Sequence, residues 1–555
     1  LVNRAAGEGQ ADWVIILAPI ALLFGSATIL LRLFPIALNG AARLVSRGTG
    51  LTAALPLWQT ARDPRHITRL VLLLTLTMAL GIFATSLNAA LDLNEEARAR
   101  YAVGADVRLV SVHADETAVV SDDVAASSAL WRGRVSFDSA INGRYPSLEL
   151  LAIDPTSFNQ VATYRDDFAT QPIPALLNEM ETFITANEIS RGYALPEQIT
   201  AVGTWLRLPV DDAAAWDGIN LDAKLLDTNN TFYNIPLLPS GQVEGNWRYF
   251  EGDVTHLPQP LRLRSLWLRS RTFDPEFREN ISYDDLTVVL PNGEQQIFQD
   301  FEGQDEWGPT GFSFFAGINT VEAHSGENRL DLGFGLRGVL RTVWYGIQNH
   351  QDYRPFPLPA LISRTLQEQT GLQVGDQLGV RVQPNNLEAY VFTFEIMGVV
   401  DYFPTLYDGQ DAGYLVTLRD PLLNELNGAL HDPILTNELL VTQSQLATSE
   451  TAAAALPELY GQAARILERE TVRDTLRAFP MAIGLRSAAL FGYILATVLS
   501  LAGFSSNFIL STRQRVGQYG ILRALGLASK QLYRMLMLEQ LLLIISGLVL
   551  GTVLG

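Results

Sequence analysis

Apolar and polar positions divide this chain into a few long, continuous apolar runs and one extended region where short stretches alternate. Four runs are long enough to cross a bilayer as helices, which takes about 20 residues. They are Trp13 to Leu31, Leu70 to Ala89, Ser487 to Leu510, and a run that starts near Leu532 and is still apolar at Gly555. Pro19 inside the first is compatible with a membrane helix, because neighbouring helices satisfy the carbonyl it frees. A secretory signal peptide would instead need a basic start, a shorter apolar core and a cleavage site. From about Glu197 to Arg341 the pattern changes to period two. LRLRSLWLRSR places Leu261, Leu263, Leu266 and Leu268 inward across a bulge near Ser265, and WLRLPV, INLDAKLLD, FYNIPL, WRYFEGDV and LTVVLPNGEQQIFQDFE supply further strands with turn residues between them. The pattern predicts an antiparallel β-sandwich over this stretch.

The distribution of arginine orients the apolar runs. The link from Arg32 to Arg69 carries Arg43, Arg47, Arg62 and Arg65 beside one acid, Asp63, and the link from Thr512 to Arg534 carries Arg513, Arg515, Arg523 and Lys530 with none. Both links are expected in the cytoplasm. Residues Leu91 to Met481 hold 27 basic and 55 acidic side chains, which places that large region outside. The formal net charge of −19 excludes the basic footprint of a nucleic-acid binder.

Composition also removes most enzyme chemistry. Without cysteine there are no disulfides, thiolate metal sites or Cys nucleophiles. Neither lysine, Lys224 or Lys530, sits in a Gly-Lys-Ser/Thr triplet, so ATP hydrolysis is not expected on this chain. The six histidines form no His-Glu-x-x-His, and no Gly-x-Ser-x-Gly elbow occurs. Asp284, Asp285, Asp300 and Glu302 have the hard oxygen donors calcium prefers, but acids at turns and surfaces are commoner, so no metal and no cofactor is assigned. Trp205, Trp216, Trp247, Trp267 and Trp307 are candidates for a sugar-stacking platform, with Trp205 and Trp267 reading as core because they fall within the strand alternation.

Near the C-terminal end, Ile521, Leu522, Leu525 and Leu532 form an apolar stripe at helical spacing while Arg513, Arg515, Arg523 and Lys530 stay on solvated faces. Gly526 interrupts the pattern, which predicts a short amphipathic helix, a turn, and a membrane helix. Its bland counterpart is a helix lying passively at the bilayer surface. Gly547, Gly551 and Gly555 recur every four residues and so share a helix face that permits close approach of another helix; the alternative is that glycine is simply common in membrane helices. The sequence begins without Met and stops inside its last apolar run, so further helices are expected before and after it.

The stretch GILRALGLASKQLYRMLMLEQLLLIISGLVLGTVLG resembles the signature of FtsX-like permeases, the MacB and LolC type of ABC transporter subunit. TARDPRHITRLVLLLTLTMALG resembles that family's basic approach to the helix before the external domain, and LISRTLQEQTGLQVGDQLGVRVQ with FTFEIMGVVDYFPT, together with YAVGADVRLVS, resembles its periplasmic core domain. The resemblance implies a cytoplasmic ABC ATPase subunit as partner, a homodimer or heterodimer of permease subunits in the lipid bilayer, and Ile521, Leu522, Arg523, Ala524, Leu525 and Gly526 as the ATPase-coupling surface. Glu539 matches the family's acid at the start of the last helix, whereas Gln518 stands where an acid usually precedes the Ile-Leu-Arg run.

The implied fold class is an α+β membrane protein. It comprises transmembrane helix 1–34, cytoplasmic linker 35–68, transmembrane helix 69–91, external core 92–196 and 342–480 around an inserted sandwich 197–341, transmembrane helix 481–511, coupling helix 512–532 and transmembrane helix 533–555. The insert departs from the family pattern, and its order GTWLRLPV, GNWRYFEGDV, ISYDDLTVVL resembles jelly-roll domains of the carbohydrate-binding type. The function expected is a non-enzymatic permease subunit in a bacterial plasma membrane, coupling ATP hydrolysis on its partner to movement outside. The alternative is a membrane-anchored surface receptor for glycans, in which the insert is the active part.

Overall fold

The computed structural model describes residues 25, 26, 28, 29, 32, 64–114, 124–139, 145–186, 192–208, 216, 219–228, 231–270, 280–303, 307–309, 316–332, 339–344, 357–383, 390–408, 413–430, 433–444, 465–524, 526 and 528–554. The expected span Trp13 to Leu31 therefore lies outside the described residues except for Gly25, Ser26, Thr28 and Ile29, which are helical. The linker 35–63 lies outside them entirely. The chain divides into two compact units, Leu1–Ala102 with Arg469–Gly555, and Val103–Glu468.

The described residues of the first unit are mostly helical. Helix α1 covers Pro64–Val103. Among the described residues, three helices are long and apolar enough to cross a membrane: Leu70–Val103 within α1, Pro480–Gln514 and Ser529–Leu554. At 1.5 Å per residue the 40 residues of α1 extend about 60 Å, roughly twice a hydrocarbon core.

The second unit is built from strands and short helices. Its chain runs through β1 (Val107–Ala114), β2 (Val124–Phe137), β3 (Ser147–Ile153), α2 (Pro155–Val161) and α3 (Ile173–Ala186). Twelve strands follow: β4 (Tyr193–Ala194), β5 (Ala201–Arg207), β6 (Ile219–Leu226), β7 (Phe232–Glu244), β8 (Trp247–Asp253), β9 (Arg262–Ser270), β10 (Ile281–Val289), β11 (Gln295–Gln299), β12 (Trp307–Pro309), β13 (Ala316–Asn319), β14 (Arg329–Leu332) and β15 (Val339–Trp344). The chain then continues through β16 (Leu358–Ser363), α4 (Arg364–Thr370), β17 (Gln377–Val382), β18 (Tyr390–Val400), β19 (Tyr414–Leu418), α5 (Arg419–Ala429), β20 (Thr436–Gln443) and β21 (Arg465–Glu468).

The flanking strands form a nine-stranded mixed sheet in the order β17-β18-β16-β19-β3-β2-β20-β1-β21. Strand β2 is long enough to serve three neighbours: Val124–Leu130 pair with β20, Trp131–Ser136 with β3, and Ser136 and Phe137 with β17. The last pairing closes β2, β3, β19, β16, β18 and β17 into a ring. Central strands β16 and β19 are buried at every position, as apolar strands covered on both faces should be, whereas β18 alternates. Helix α4 starts with the Ser363 hydroxyl accepting from Leu366 N–H and stops at Gly371, whose φ of 75° suits a residue without Cβ.

Across this sheet lies a buried ionic cluster. Arg108 donates to both Glu438 oxygens at 2.8 and 3.1 Å, and Arg132 donates to Glu438 at 2.9 Å and also to Glu149. Burial opposes ionisation of Glu438, but Arg132 and Arg108 outweigh it and hold its carboxyl below the usual range.

The twelve intervening strands pair only antiparallel among the described residues, with β7 shared between two halves, one with β6 and β9 and the other with β8, β5 and β10. Both halves face one core that includes Leu206, Leu221, Phe250, Leu266 and Tyr283. Leu261, Leu263, Leu266 and Leu268 are all buried. The register shifts between Lys224↔Ser265 and Leu225↔Leu263, which makes Arg264 the extra residue of the bulge and turns it toward Glu425 of α5 at 4.0 Å. Lys224 is buried, and its ammonium donates to the Asn427 carbonyl at 2.5 Å and to that of Leu430. Those carbonyls end α5, where a cation also meets the negative end of the helix dipole.

Candidate coupling site

Helix α6 (Arg469–Arg477) leads into α7 (Pro480–Gln514), and α7 ends at Arg515, whose backbone N–H reaches Ser511 O and Arg513 O. Helix α8 (Val516–Ala524) follows directly. It closes at Gly526, which takes φ 95° while its N–H donates to Arg523 O at 3.1 Å. This left-handed position is the reason a glycine stands there. Helix α9 (Ser529–Leu554) then starts with the Gln531 side chain accepting from Ala528 N–H at 3.1 Å.

Ile521 is 64% exposed and Val516 63%, and Arg523, Ala524 and Gly526 are exposed as well. Leu522 lies in α8 with its side chain outside the described residues, and Leu525 and Gly555 lie outside them altogether. Arg513, Arg523, Lys530 and Arg534 have no carboxylate partner among the described residues. The single acid between Pro480 and Gly555, Glu539, is buried on α9 and receives Arg515 Nη1 at 2.9 and 3.2 Å. Sequence reading missed this pair, although the isolation of Glu539 among basic and apolar residues was its signal.

Residues 490–555 match the family model described as FtsX-like permease C-terminal. The chain carries an FtsX-like permease domain. No curated protein compared with the chain matches it. The matched residues span most of α7 and all of α8 and α9. FtsX-like permeases are membrane-embedded transport subunits that generally work with an ABC ATPase, so the domain points to an ABC transporter permease subunit in a membrane.

Within the first unit, the FtsX-like domain packs on α1 through small residues. A Cβ at Gly547 would sit 2.5 Å from the Leu74 Cβ, and one at Gly551 would sit 2.5 Å from that of Met78. On α7, Tyr493 fills the space above Gly81, and Thr77 Oγ1 donates to Ala496 O at 3.2 Å. Beyond the apolar part of α1, Asp92, Glu95 and Glu96 meet a ladder of arginines. Asp92 receives Arg477 and Arg486 at 2.8 Å each, Glu95 receives Arg486 at 2.7 Å, and Glu96 receives Arg100 at 2.8 Å with Arg469 and Arg473 at 3.6 and 3.8 Å. The four-residue spacing of Arg469, Arg473 and Arg477 opposite acids three and four apart was the sequence signal for this ladder.

The insert's candidate ligands have other partners. Asp284 accepts the backbone N–H of His324 at 2.7 Å, Asp285 meets His324 Nδ1 and Ser325 Oγ at 2.7 Å each, and Glu302 accepts from Asn328 N–H at 2.8 Å. Asp300 accepts from Glu302 N–H at 3.1 Å. Asp284, Asp285 and Glu302 thus staple the segment 324–328, while Asp300 caps the backbone of its own turn. Burial, then the neighbouring Asp285 charge, pushes the Asp284 carboxyl up to about 6. All five tryptophans are buried, and Trp205 stacks under the His324 ring at 4.0 Å, so none offers an open face to a sugar.

Proposed function

We propose that this chain is the permease subunit of an ABC-type complex in a bacterial plasma membrane, converting ATP hydrolysis on a separate cytoplasmic subunit into movement of an external domain. The surface that receives the motion is Ile521, Leu522, Arg523, Ala524, Leu525 and Gly526. The observation that carries this reading is the state of α8: exposed Ile521 and Val516 beside Arg523, which has no carboxylate partner among the described residues. Such a surface is complementary to an apolar pocket rimmed by acids. The arginine-rich links lie in the cytoplasm in this reading, and the acidic second unit lies outside.

Movement of α8 passes to α7 and α9 and from them to the second unit, whose two chain connections to the first run through α1 and α6. The external part is a MacB-like core in two pieces, 92–196 and 342–480, around a jelly-roll insert at 197–341. A second permease copy completes the assembly. The output is export, extraction from the membrane, or force applied to an external protein. Affinity purification of the tagged chain in mild detergent tests the proposal. A stoichiometric subunit bearing a Walker-type ATPase is the expected companion; recovery of the intact chain without one contradicts it.

A further inference from the structure

The observation that goes beyond a docking surface is the place of the Arg515 and Glu539 pair. Arg515 stands at the junction of α7 and α8, and Glu539 stands ten residues into α9, about 15 Å along that helix from Ser529. Helix α8 has nine residues and extends about 14 Å. The two helices are therefore arms of nearly equal length, joined at one end by the turn through Gly526 and at the other by the ion pair, which closes a loop 24 residues apart in sequence. Tyr519 on α8 interacts with the charges of both partners.

Glu539 is 5% exposed and Arg515 reaches both of its oxygens, so leaving that carboxylate without its guanidinium is costly. Helix α8 joins α7 at Arg515 and α9 through the turn at Gly526, where an added Cβ would meet nothing within 4 Å, so both junctions are points about which its angle to α9 can change. With its base pinned to Glu539, it moves only together with α9.

We infer that the Arg515–Glu539 pair is the pin that makes α8 and the first half of α9 one rigid lever, and that both are positioning residues for the coupling surface. The inference rests on the coupling reading of α8, since a rigid lever matters only if α8 is pushed. Losing the pin separates the push on α8 from the motion of α9 without altering the residues that touch the partner.

The test is a distance distribution from paired spin labels at Gly520→Cys and Val549→Cys in the full chain, reconstituted in liposomes without any ATPase. No native cysteine interferes, a Cβ at Gly520 meets nothing within 4 Å, and Val549 is 56% exposed. Glu539→Gln should at least double the width of the distribution. Arg515→Gln, at a helix junction where substitution does not threaten membrane insertion, should do the same. The exchanged pair Arg515→Glu with Glu539→Arg should bring back the native width, which a role in packing alone would not allow. Native width in either single variant, or an exchanged pair as broad as the singles, overturns the inference. Because no partner is present, this result is independent of whether α8 docks on an ATPase.

Discussion

Helices α6 and α8 flank the same membrane helix, α7, and each has nine residues, yet they are satisfied in opposite ways. Helix α6 buries Val472 and Leu476 and directs Arg469, Arg473 and Arg477 at carboxylates of α1. Helix α8 leaves Val516 and Ile521 exposed and gives Arg523 no acid among the described residues. Both have the arginine and aliphatic content of an amphipathic helix, so composition does not separate them. What separates them is whether the chain itself supplies the complementary surface. An element completed within its own chain is structural, and one left incomplete calls for something else to complete it.

Substitutions on the completed side should cost stability. The limiting case is Glu438, which holds two buried guanidiniums in the second unit. Glu438→Gln leaves Arg108 and Arg132 without a full counter-charge, and a loss of about 3–4 kcal/mol is expected from denaturant unfolding. Glu95→Gln on α1 removes the buried acid that Arg486 and Arg477 share; because those arginines are partly exposed, the expected loss is smaller, about 2 kcal/mol.

On the incomplete side the sign of the comparison reverses. Ile521→Asp should change stability by less than about 0.5 kcal/mol, since the side chain is exposed, while weakening retention of the ATPase about tenfold. A thermal melt and a pull-down on the same preparation separate the two effects. If Ile521→Asp unfolds the protein instead, α8 is completed internally and the contrast with α6 fails.

The smallest effect concerns carboxylates satisfied by neutral donors. Asp284, with a folded value of about 6 against 3.8 ordinarily, binds its proton more tightly when folded. Its contribution is fully present below about pH 4 and is lost as pH rises through about 6. Relative to Asp284→Asn, the parent protein should gain about 1 kcal/mol between pH 7 and pH 4, after discounting for solvent screening. Glu438, held below its ordinary value, should give the opposite slope against Glu438→Gln, losing its contribution as pH falls. Unfolding midpoints across that range show whether the two slopes differ in sign.

The legible features of this sequence were those written locally. The apolar lengths in α1, α7 and α9, the helix stop at Gly526, and the inward leucines of β9 each depend on residues close together in the chain. The bulge was placed near Ser265 and falls at its neighbour Arg264. The pairings that complete these elements were not legible. Arg108 meets Glu438 across 330 residues, Lys224 meets the end of α5 across more than 200, and β2 divides its length among three partners. No periodicity encodes such partners, because they follow from topology. At the candidate site the glycine turn was visible, but the contact of Arg515 with Glu539 was not, since an acid matching a motif does not name the arginine it meets.

The central claim is that α8 receives force from an ATPase, and Leu525→Asp tests it most directly. The substitution lies outside the apolar spans, so the chain should insert in the membrane as before. An aspartate where a leucine docks removes roughly 2 kcal/mol of apolar contact and adds an unpaired charge. The measurement is ATP turnover of the co-purified complex in liposomes, with and without this substitution. The account predicts normal insertion, loss of the ATPase from the complex by at least tenfold, and loss of permease-dependent turnover. Normal insertion with an undiminished complex and unchanged turnover would contradict it and leave α8 as a helix resting on the bilayer surface.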